Sequence, residues 1–220
     1  MPTLLHIDSS AVTEGSVSRE VAATFSREWQ AAHPDGTVIY RDLGASPVPH
    51  LSGAAIAGQF TPAEQHTEEQ RAAVAQRLEL IAELEQADAV LIGAPMYNFT
   101  IPSTLKAWLD QVVLFGRTGG EGGSVAGKPV TAVVSRGGAY GPGTPRAEFE
   151  FVESYLRKAF TGLLGMDVDF VVAELTLARV NPALAQFIEQ ADASKAQAHQ
   201  DAAAKAKALA ERLAVPAEAV

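Results

Sequence analysis

The sequence predicts an α/β protein in which helices cover both faces of a doubly wound, five-stranded parallel sheet. Five short apolar runs rich in β-branched residues recur along the chain, and each is nearly continuous, as expected of strands buried on both faces. A helical pattern separates each run from the next, and this alternation favours right-handed crossovers. Because 220 residues suit one large α/β domain, we expect residues 1–220 to form a single domain.

The first elements are predicted from apolar runs and turn residues. The first helix places Val21, Phe25 and Trp29 on one face, and it ends at the turn residues Pro34-Asp35-Gly36. The five predicted strands are residues 4–7, 38–40, 89–93, 130–135 and 168–173.

The later helices are predicted from caps and apolar stripes. The second is expected to begin at Thr61-Pro62-Ala63-Glu64, a capping box with proline at the first helical position, and to end near Gln86. Two more should begin at Thr144-Pro145 and Asn181-Pro182, where an N-cap residue precedes proline. Residues 44–60 and 116–127 are expected to be irregular, and the Ala-rich residues 191–220 to continue the last helix. The third helix carries an apolar stripe of Leu105, Trp108, Leu109, Val112 and Val113.

Composition excludes several classes of function. A net charge of -9 without a basic run argues against nucleic acid and anionic membranes as partners. No cysteine is present, which excludes disulfides, thiolate catalysis and Cys-ligated metal centres. The five histidines show no metal-ligand spacing, so we expect no metal. We find no signal-peptide pattern and no apolar run long enough to span a membrane, so we expect a cytoplasmic protein.

The loop after the first strand is a candidate phosphate site. In open parallel sheets, ligands bind beyond the carboxyl ends of the strands at the topological switch point. Here this position holds Ser10, followed by Ser16-Val17-Ser18 at the head of the first helix, where a phosphate is favoured. The alternative is that these serines only cap the helix. Without a GxGxxG or a P-loop pattern, a monophosphate is a better fit than a dinucleotide.

Two further loops at the same edge suit a planar ring. Met96-Tyr97-Asn98-Phe99 lies between Pro95 and Pro102 and predicts a preorganised wall, although core packing and a plain turn remain alternatives. Ser135-Arg136-Gly137-Gly138 follows the fourth strand, and its glycines allow backbone N–H groups to approach a ligand edge. The alternative for this loop is an ordinary glycine turn.

Together these residues resemble the FMN-dependent NADH-azoreductase and NADH:quinone oxidoreductase family, which has the flavodoxin-like fold and was once described as acyl carrier protein phosphodiesterases. The most specific part is Pro95-Met96-Tyr97-Asn98-Phe99, followed by Ile101-Pro102-Ser103-Thr104-Leu105-Lys106. The resemblance implies electron transfer from NADH, or NADPH, to quinones and azo compounds through bound FMN, with ping-pong kinetics.

The same resemblance implies roles for residues and a homodimer. Ser10 and the serines at 16 and 18 would hold the FMN phosphate, Met96 to Phe99 would lie along the isoalloxazine, and Ser135 to Gly138 would meet its polar edge. The helix over residues 103–115, which carries Trp108, is expected at or near the dimer contact.

Two departures from the family's pattern and two alternative functions stay open. Arg19 stands where family members usually have Asn, and residues 116–128 form a shorter, more Gly-rich loop, which leaves substrate preference open. No catalytic residue is assigned, and Tyr140 is the one candidate acid. The alternatives are a non-enzymatic electron carrier and the phosphodiesterase. The sequence does not reveal the physiological acceptor or the choice between NADH and NADPH.

Overall fold

The computed structural model describes residues 1–214, which form a five-stranded parallel sheet in the order β2-β1-β3-β4-β5. Each predicted strand lies within an observed one, and the predicted fold class is confirmed. The strands are β1 (Thr3–Asp8), β2 (Thr37–Asp42), β3 (Ala89–Pro95), β4 (Pro129–Ser135) and β5 (Asp167–Ala173). The helices within these residues are α1 (Val17–Ala32), α2 (Gly53–Phe60), α3 (Glu68–Gln86), α4 (Ser103–Val112), α5 (Val152–Arg157, continued by a π-helical turn, Lys158–Leu163) and α6 (Ile188–Ala214).

The central strands are buried on both faces, which explains their continuous apolar sequences. Successive side chains of β1 point to opposite sides, so that Leu4 joins one core and Leu5 the other. The core that contains Leu4 also contains Phe25 and Trp29 of α1 and small alanines of α6, whereas the core on the other side holds Trp108. Helices therefore cover both faces, as the alternation predicts.

The second predicted helix begins later than expected. The sequence from Thr61 forms only a short 3₁₀ turn (Ala63–Gln65), and α3 begins at Glu68. The reason is a complete capping box further along the chain: Gln70 N donates to Thr67 Oγ1 at 3.2 Å, and Thr67 N donates to Gln70 Oε1 at 2.9 Å. The expectation that residues 44–60 are irregular is wrong at their end, where Ser52 caps the short helix α2.

The helix predicted from Thr144-Pro145 is also misplaced. Thr144 Oγ1 instead donates to the Gly141 carbonyl oxygen at 2.8 Å in a local turn. The helix α5 begins at Val152 because the Glu150 carboxylate accepts its N–H at 2.8 Å and so fulfils the cap role.

The last helix begins in two stages. Asn181 does start a helical segment, but its first part is the 3₁₀ helix Pro182–Phe187, and α6 follows directly. The prediction that this helix continues to residue 220 lies, for residues 215–220, outside the described residues. None of the helices within residues 1–214 is long and apolar enough to cross a membrane.

The Gly-rich loop over residues 116–127 is irregular, as expected, and one carboxylate attaches it to the fold. Glu85 at the end of α3 accepts from Arg117 Nε at 2.9 Å and Nη2 at 2.6 Å, and from Ser124 Oγ at 2.7 Å. The hydrogen bond from Arg117 is the main cause that lowers the pKa of Glu85 from 4.5 to about 2.

The ion pair between Glu85 and Arg117 predicts that the protein loses stability in acid. Because the pKa of Glu85 is lowered on folding, its contribution is present above pH 4.5 and disappears as the pH falls toward 2. We expect Glu85→Gln to lower the free energy of unfolding at pH 6, with the difference from the parent protein shrinking below pH 4.5. Urea unfolding at pH 6, 4 and 3 measures it, and a difference that is independent of pH would contradict the prediction.

Candidate active site

The three predicted loops meet at one edge of the sheet, beyond β1, β3 and β4. The strands β1 and β3 are neighbours whose connections leave in opposite directions along the sheet order, so this edge is the topological switch point. Ser9 N donates to the Gly93 carbonyl oxygen at 3.1 Å, and Met96 N donates to the Ser135 carbonyl oxygen at 2.7 Å. These bonds join the loops into one surface.

Ser16 and Ser18, at the start of α1, are buried, and they lie beside backbone N–H groups that are available to a ligand. Ser16 Oγ contacts Ser18 Oγ at 3.2 Å and does not cap the helix, which answers the capping alternative for this side chain. Within residues 1–214, the N–H groups of Val17, Ser18 and Arg19 have no acceptor. A helix N-terminus with unpaired amides and adjacent hydroxyls attracts an anion.

Ser10 and Tyr97 are joined to each other. Ser10 Oγ lies 3.3 Å from Tyr97 Oη, and Ala11 N donates to the same Tyr97 oxygen at 3.1 Å. The Tyr97 side chain therefore connects the loop after β1 (residues 9–16, the serine loop) to the loop after β3 (residues 96–102, the aromatic loop). It also borders a smaller cavity with Lys106 and Tyr155. The Asp8 carboxylate is turned toward β2, where Tyr40 Oη donates to it at 2.9 Å.

Asn98 and Phe99 form the tip of a two-residue turn. Tyr97 N donates to the Thr100 carbonyl oxygen at 2.9 Å, and Thr100 N donates back to Tyr97 at 3.1 Å. Asn98 has a φ of 49° and Phe99 a φ of 71°, as in a type I′ turn. Phenylalanine rarely adopts this conformation, and such strain is concentrated at binding sites.

A cavity of about 950 Å³ opens beside this turn. Two of its walls were predicted: Met96, Asn98 and Phe99 form one, and Gly137 and Gly138 form the other. Its lining also includes Ala139, Tyr140, Pro145, Arg146, Leu175, Leu177, Asn181, Ala183, Leu184, Phe187 and Gln190.

The third wall was missed by sequence reasoning. It comes from the connection between β5 and α6, where Leu175 has a φ of 60° and donates its N–H to the Gly138 carbonyl oxygen at 3.1 Å. Leu177 lies so close to Gly137 that a Cβ there would be 2.7 Å from Leu177 Cδ1. The one available signal was the position of this connection after the last strand, because leucines in a loop do not by themselves indicate a ligand.

Arg136 does not line the cavity. Its side chain is 2% exposed and lies among three carboxylates: Nη1 is 3.0 Å from Glu174 Oε1, Nη2 is 3.4 Å from Glu150 Oε1, and Nη2 also contacts Glu153. Glu174 Oε1 in turn accepts the N–H of Tyr140 at 2.7 Å. Arg136 thus holds the loop that carries the two glycines and Tyr140.

The fold and this site together define a flavodoxin-like protein. The sequence profile of the family described as flavodoxin-like fold matches residues 2–211. The azoreductase from Bacillus anthracis str. Sterne has a similar structure, with a TM-score of 0.80 and 27% identity over 94% of this chain and 99% of that chain.

Relatives of similar sequence narrow the assignment from a fold family to a family of enzymes. An FMN-dependent NADH:quinone oxidoreductase of Streptomyces avermitilis is 58% identical over 97% of this chain and 100% of the relative. A protein of the same name from Frankia casuarinae is 48% identical over 90% of this chain and 95% of the relative. The chain belongs to the family of FMN-dependent NADH:quinone oxidoreductases and NADH-azoreductases.

Proposed function

We propose that this protein binds FMN and transfers electrons from NADH to quinones and azo compounds. The observation that carries the proposal is a mostly apolar cavity that borders unpaired backbone donors. Within residues 1–214, the N–H groups of Asn98, Gly137 and Gly138 have no acceptor, and all three residues line the cavity. The names of the relatives from Streptomyces avermitilis and Frankia casuarinae support the same activity.

The residues present fit FMN at both ends. The unpaired amides at the start of α1, with Ser16 and Ser18, suit a monophosphate, and Ser10 lies in the adjoining loop. Met96 and Phe99 would lie along the isoalloxazine, while the free N–H groups of Gly137 and Gly138 would meet its polar edge. Arg136 and Ser135 would act indirectly, by holding the loops in place.

When bound, FMN supplies two-electron chemistry, accepting a hydride from a nicotinamide and passing the electrons to an acceptor. The free N–H groups of Asn98, Gly137 and Gly138 would stabilise negative charge at the polar edge of the ring. Phe99 and Tyr140, whose ring centroids are 6.2 Å apart, would form one apolar side of the cavity beside the bound ring. Tyr140 is the candidate acid for the acceptor. A single open side would serve donor and acceptor in turn, which is the basis for ping-pong kinetics.

The proposal is tested by the absorption spectrum of the purified protein and by NADH oxidation. A flavin spectrum with NADH consumption that depends on an added quinone is expected. A flavin spectrum without turnover would favour the electron carrier, and no flavin would favour the phosphodiesterase. The cavity of about 950 Å³ favours the enzyme over the carrier, because it has room for a second ring. Extracted flavin that is chromatographically FAD would contradict the choice of FMN.

We further propose a homodimer in which a second copy covers the cavity. Three exposed side chains, Phe99 (41%), Phe149 (47%) and Phe151 (50%), form a phenylalanine patch beside it. The rings of Phe99 and Phe149 are 5.2 Å apart, and Phe151 N donates to the Phe99 carbonyl oxygen at 3.1 Å. Exposed apolar patches of this kind mark interfaces, and two-fold dimers are the commonest oligomers. Trp108 is fully buried in the core, so α4 would contribute other residues.

The dimer is tested with a variant of the phenylalanine patch. Phe149→Ser with Phe151→Ser should shift the protein to a monomer in light scattering and reduce quinone reduction, because the cavity loses its cover. Val180→Ser is the control, since Val180 is 73% exposed and lies outside the patch. A parent protein that is monomeric with full activity would refute the proposal.

The proposed location is the cytoplasm. NADH is available there, and a chain without cysteine needs no oxidising compartment. Cell fractionation followed by the quinone assay checks the location, and activity in an exported fraction would contradict it.

A further inference from the structure

Arg19 connects the serine loop to the body of the sheet. Its Nε donates to the Val12 carbonyl oxygen at 3.1 Å, and its Nη2 donates to the Ser10 carbonyl oxygen at 2.8 Å. The side chain is only 12% exposed, although it lies on the first turn of α1. Two carbonyl oxygens of the loop are therefore held by a guanidinium, and neither is available to face an anion.

The other side of Arg19 faces two carboxylates. Asp42 on β2 is paired with both terminal nitrogens, with Nη2–Oδ1 at 2.6 Å and Nη1–Oδ2 at 2.7 Å. Asp8 Oδ2 lies 3.5 Å from Nη1, and Tyr40 Oη, 3.3 Å from Nη1, donates to that same Asp8 oxygen at 2.9 Å. The hydrogen bond from Arg19 is the main cause that lowers the pKa of Asp42 to about 2.

Gly44 packs closely against the serine loop and against Arg19. A Cβ at this position would lie 2.0 Å from the Ser10 carbonyl oxygen and 2.8 Å from Arg19 Nη2. Its N–H donates to Asp42 Oδ1 at 3.0 Å, so the turn that carries Gly44 is part of the same network. The Ser10 carbonyl oxygen is thus held by the guanidinium and leaves no room for a side chain at residue 44.

The charges of Arg19, Asp8 and Asp42 affect how strongly the serine loop binds an anion. Asp8 and Asp42 contribute two formal negative charges and Arg19 one positive charge, so the trio carries a net of -1. Without the guanidinium, the buried carboxylate of Asp8 and the half-buried carboxylate of Asp42 would lie behind the loop without a compensating cation. Such a field opposes the binding of a phosphate and leaves an uncharged ligand almost unaffected.

We propose that Arg19 is a positioning residue that makes the serine loop selective for a phosphorylated flavin. It holds the carbonyl oxygens of Ser10 and Val12 away from the anion, and it neutralises Asp8 and Asp42 behind the loop. The inference rests on the proposed function, since it takes FMN as the ligand.

The test compares FMN with riboflavin, which lacks only the phosphate. Flavin-free protein is titrated with each, and quenching of flavin fluorescence gives the two dissociation constants. We expect the parent protein to prefer FMN, and Arg19→Met to weaken FMN binding at least about tenfold while riboflavin binding is unchanged. Arg27→Met is the matched control, because Arg27 lies on the same helix and, within residues 1–214, its side chain donates one hydrogen bond, to Thr24 Oγ1.

A second variant, Arg19→Lys, tests the inference even if Arg19→Met fails to fold. Arg19→Lys keeps the charge, but one ammonium with three donors cannot replace the bidentate pair with Asp42 together with the bonds to the two carbonyl oxygens, so the preference for FMN should fall by less than in Arg19→Met. Circular dichroism and thermal melting monitor the fold. Equal weakening of both flavins, or an unchanged preference in both variants, would overturn the inference. A parent protein that binds neither flavin would instead defeat the proposed function.

Discussion

Arg136→Met is expected to lower the free energy of unfolding by about 3 kcal/mol, because it leaves three half-buried carboxylates without their buried cation. Arg136 is 2% exposed, and its guanidinium contacts Glu150, Glu153 and Glu174. The value is at the lower end of the range for broken buried ion pairs, since Glu153 is 30% exposed and Glu174 23% exposed and both reach solvent. Urea unfolding at neutral pH measures the change.

An exposed arginine provides the control for this experiment. Arg179 pairs with Asp192 at 2.5 Å, but the two side chains are 64% and 52% exposed, so Arg179→Met should change the free energy of unfolding by less than about 1 kcal/mol. FMN affinity should also fall in Arg136→Met, because Glu174 would no longer hold the loop of Gly137, Gly138 and Tyr140 in place. Equal losses of stability in the two variants would contradict the role assigned to Arg136.

Ser16→Ala with Ser18→Ala is expected to raise the FMN dissociation constant by at least about tenfold. Each hydrogen bond to a charged group contributes roughly 1.5–3 kcal/mol, and about 1.4 kcal/mol corresponds to tenfold in affinity. The protein itself should lose little stability, because the Ser16 hydroxyl contacts Ser18 Oγ and does not cap α1. The amides of this helix end remain, so binding should be weakened without being abolished.

Fluorescence titration of the flavin-free protein measures this effect. Ser26→Ala is the control, because Ser26 is half-buried on the same helix but more than two turns from its start. Riboflavin binding should be the same in all three proteins. If the double variant bound FMN as tightly as the Ser26→Ala control, the serines would have no part in holding the phosphate.

The sequence by itself determined the sheet and the loops that meet at its edge. Buried parallel strands need apolar residues on both faces. Each strand can therefore be recognised from its own sequence, without knowledge of the segments that pack against it. The serines before α1 and the Met96 to Phe99 segment are local signals for the same reason: a helix start or a two-proline loop is encoded within a few neighbouring residues.

Helix starts were predicted less well where two caps compete. Thr61 and Thr144 both precede proline, but a complete capping box at Thr67 and the carboxylate of Glu150 satisfy the first amides of α3 and α5 better. Each candidate is acceptable when considered alone.

Only the tertiary structure decided which side chains face the cavity. Arg136 and Tyr97 stand next to lining residues in the sequence, yet one is buried among carboxylates and the other reaches back to Ser10. The wall that contains Leu175 comes from the end of β5, far along the chain from the other two walls. Side-chain direction in a loop is set by contacts with distant segments, and a single sequence records the residues but not those contacts.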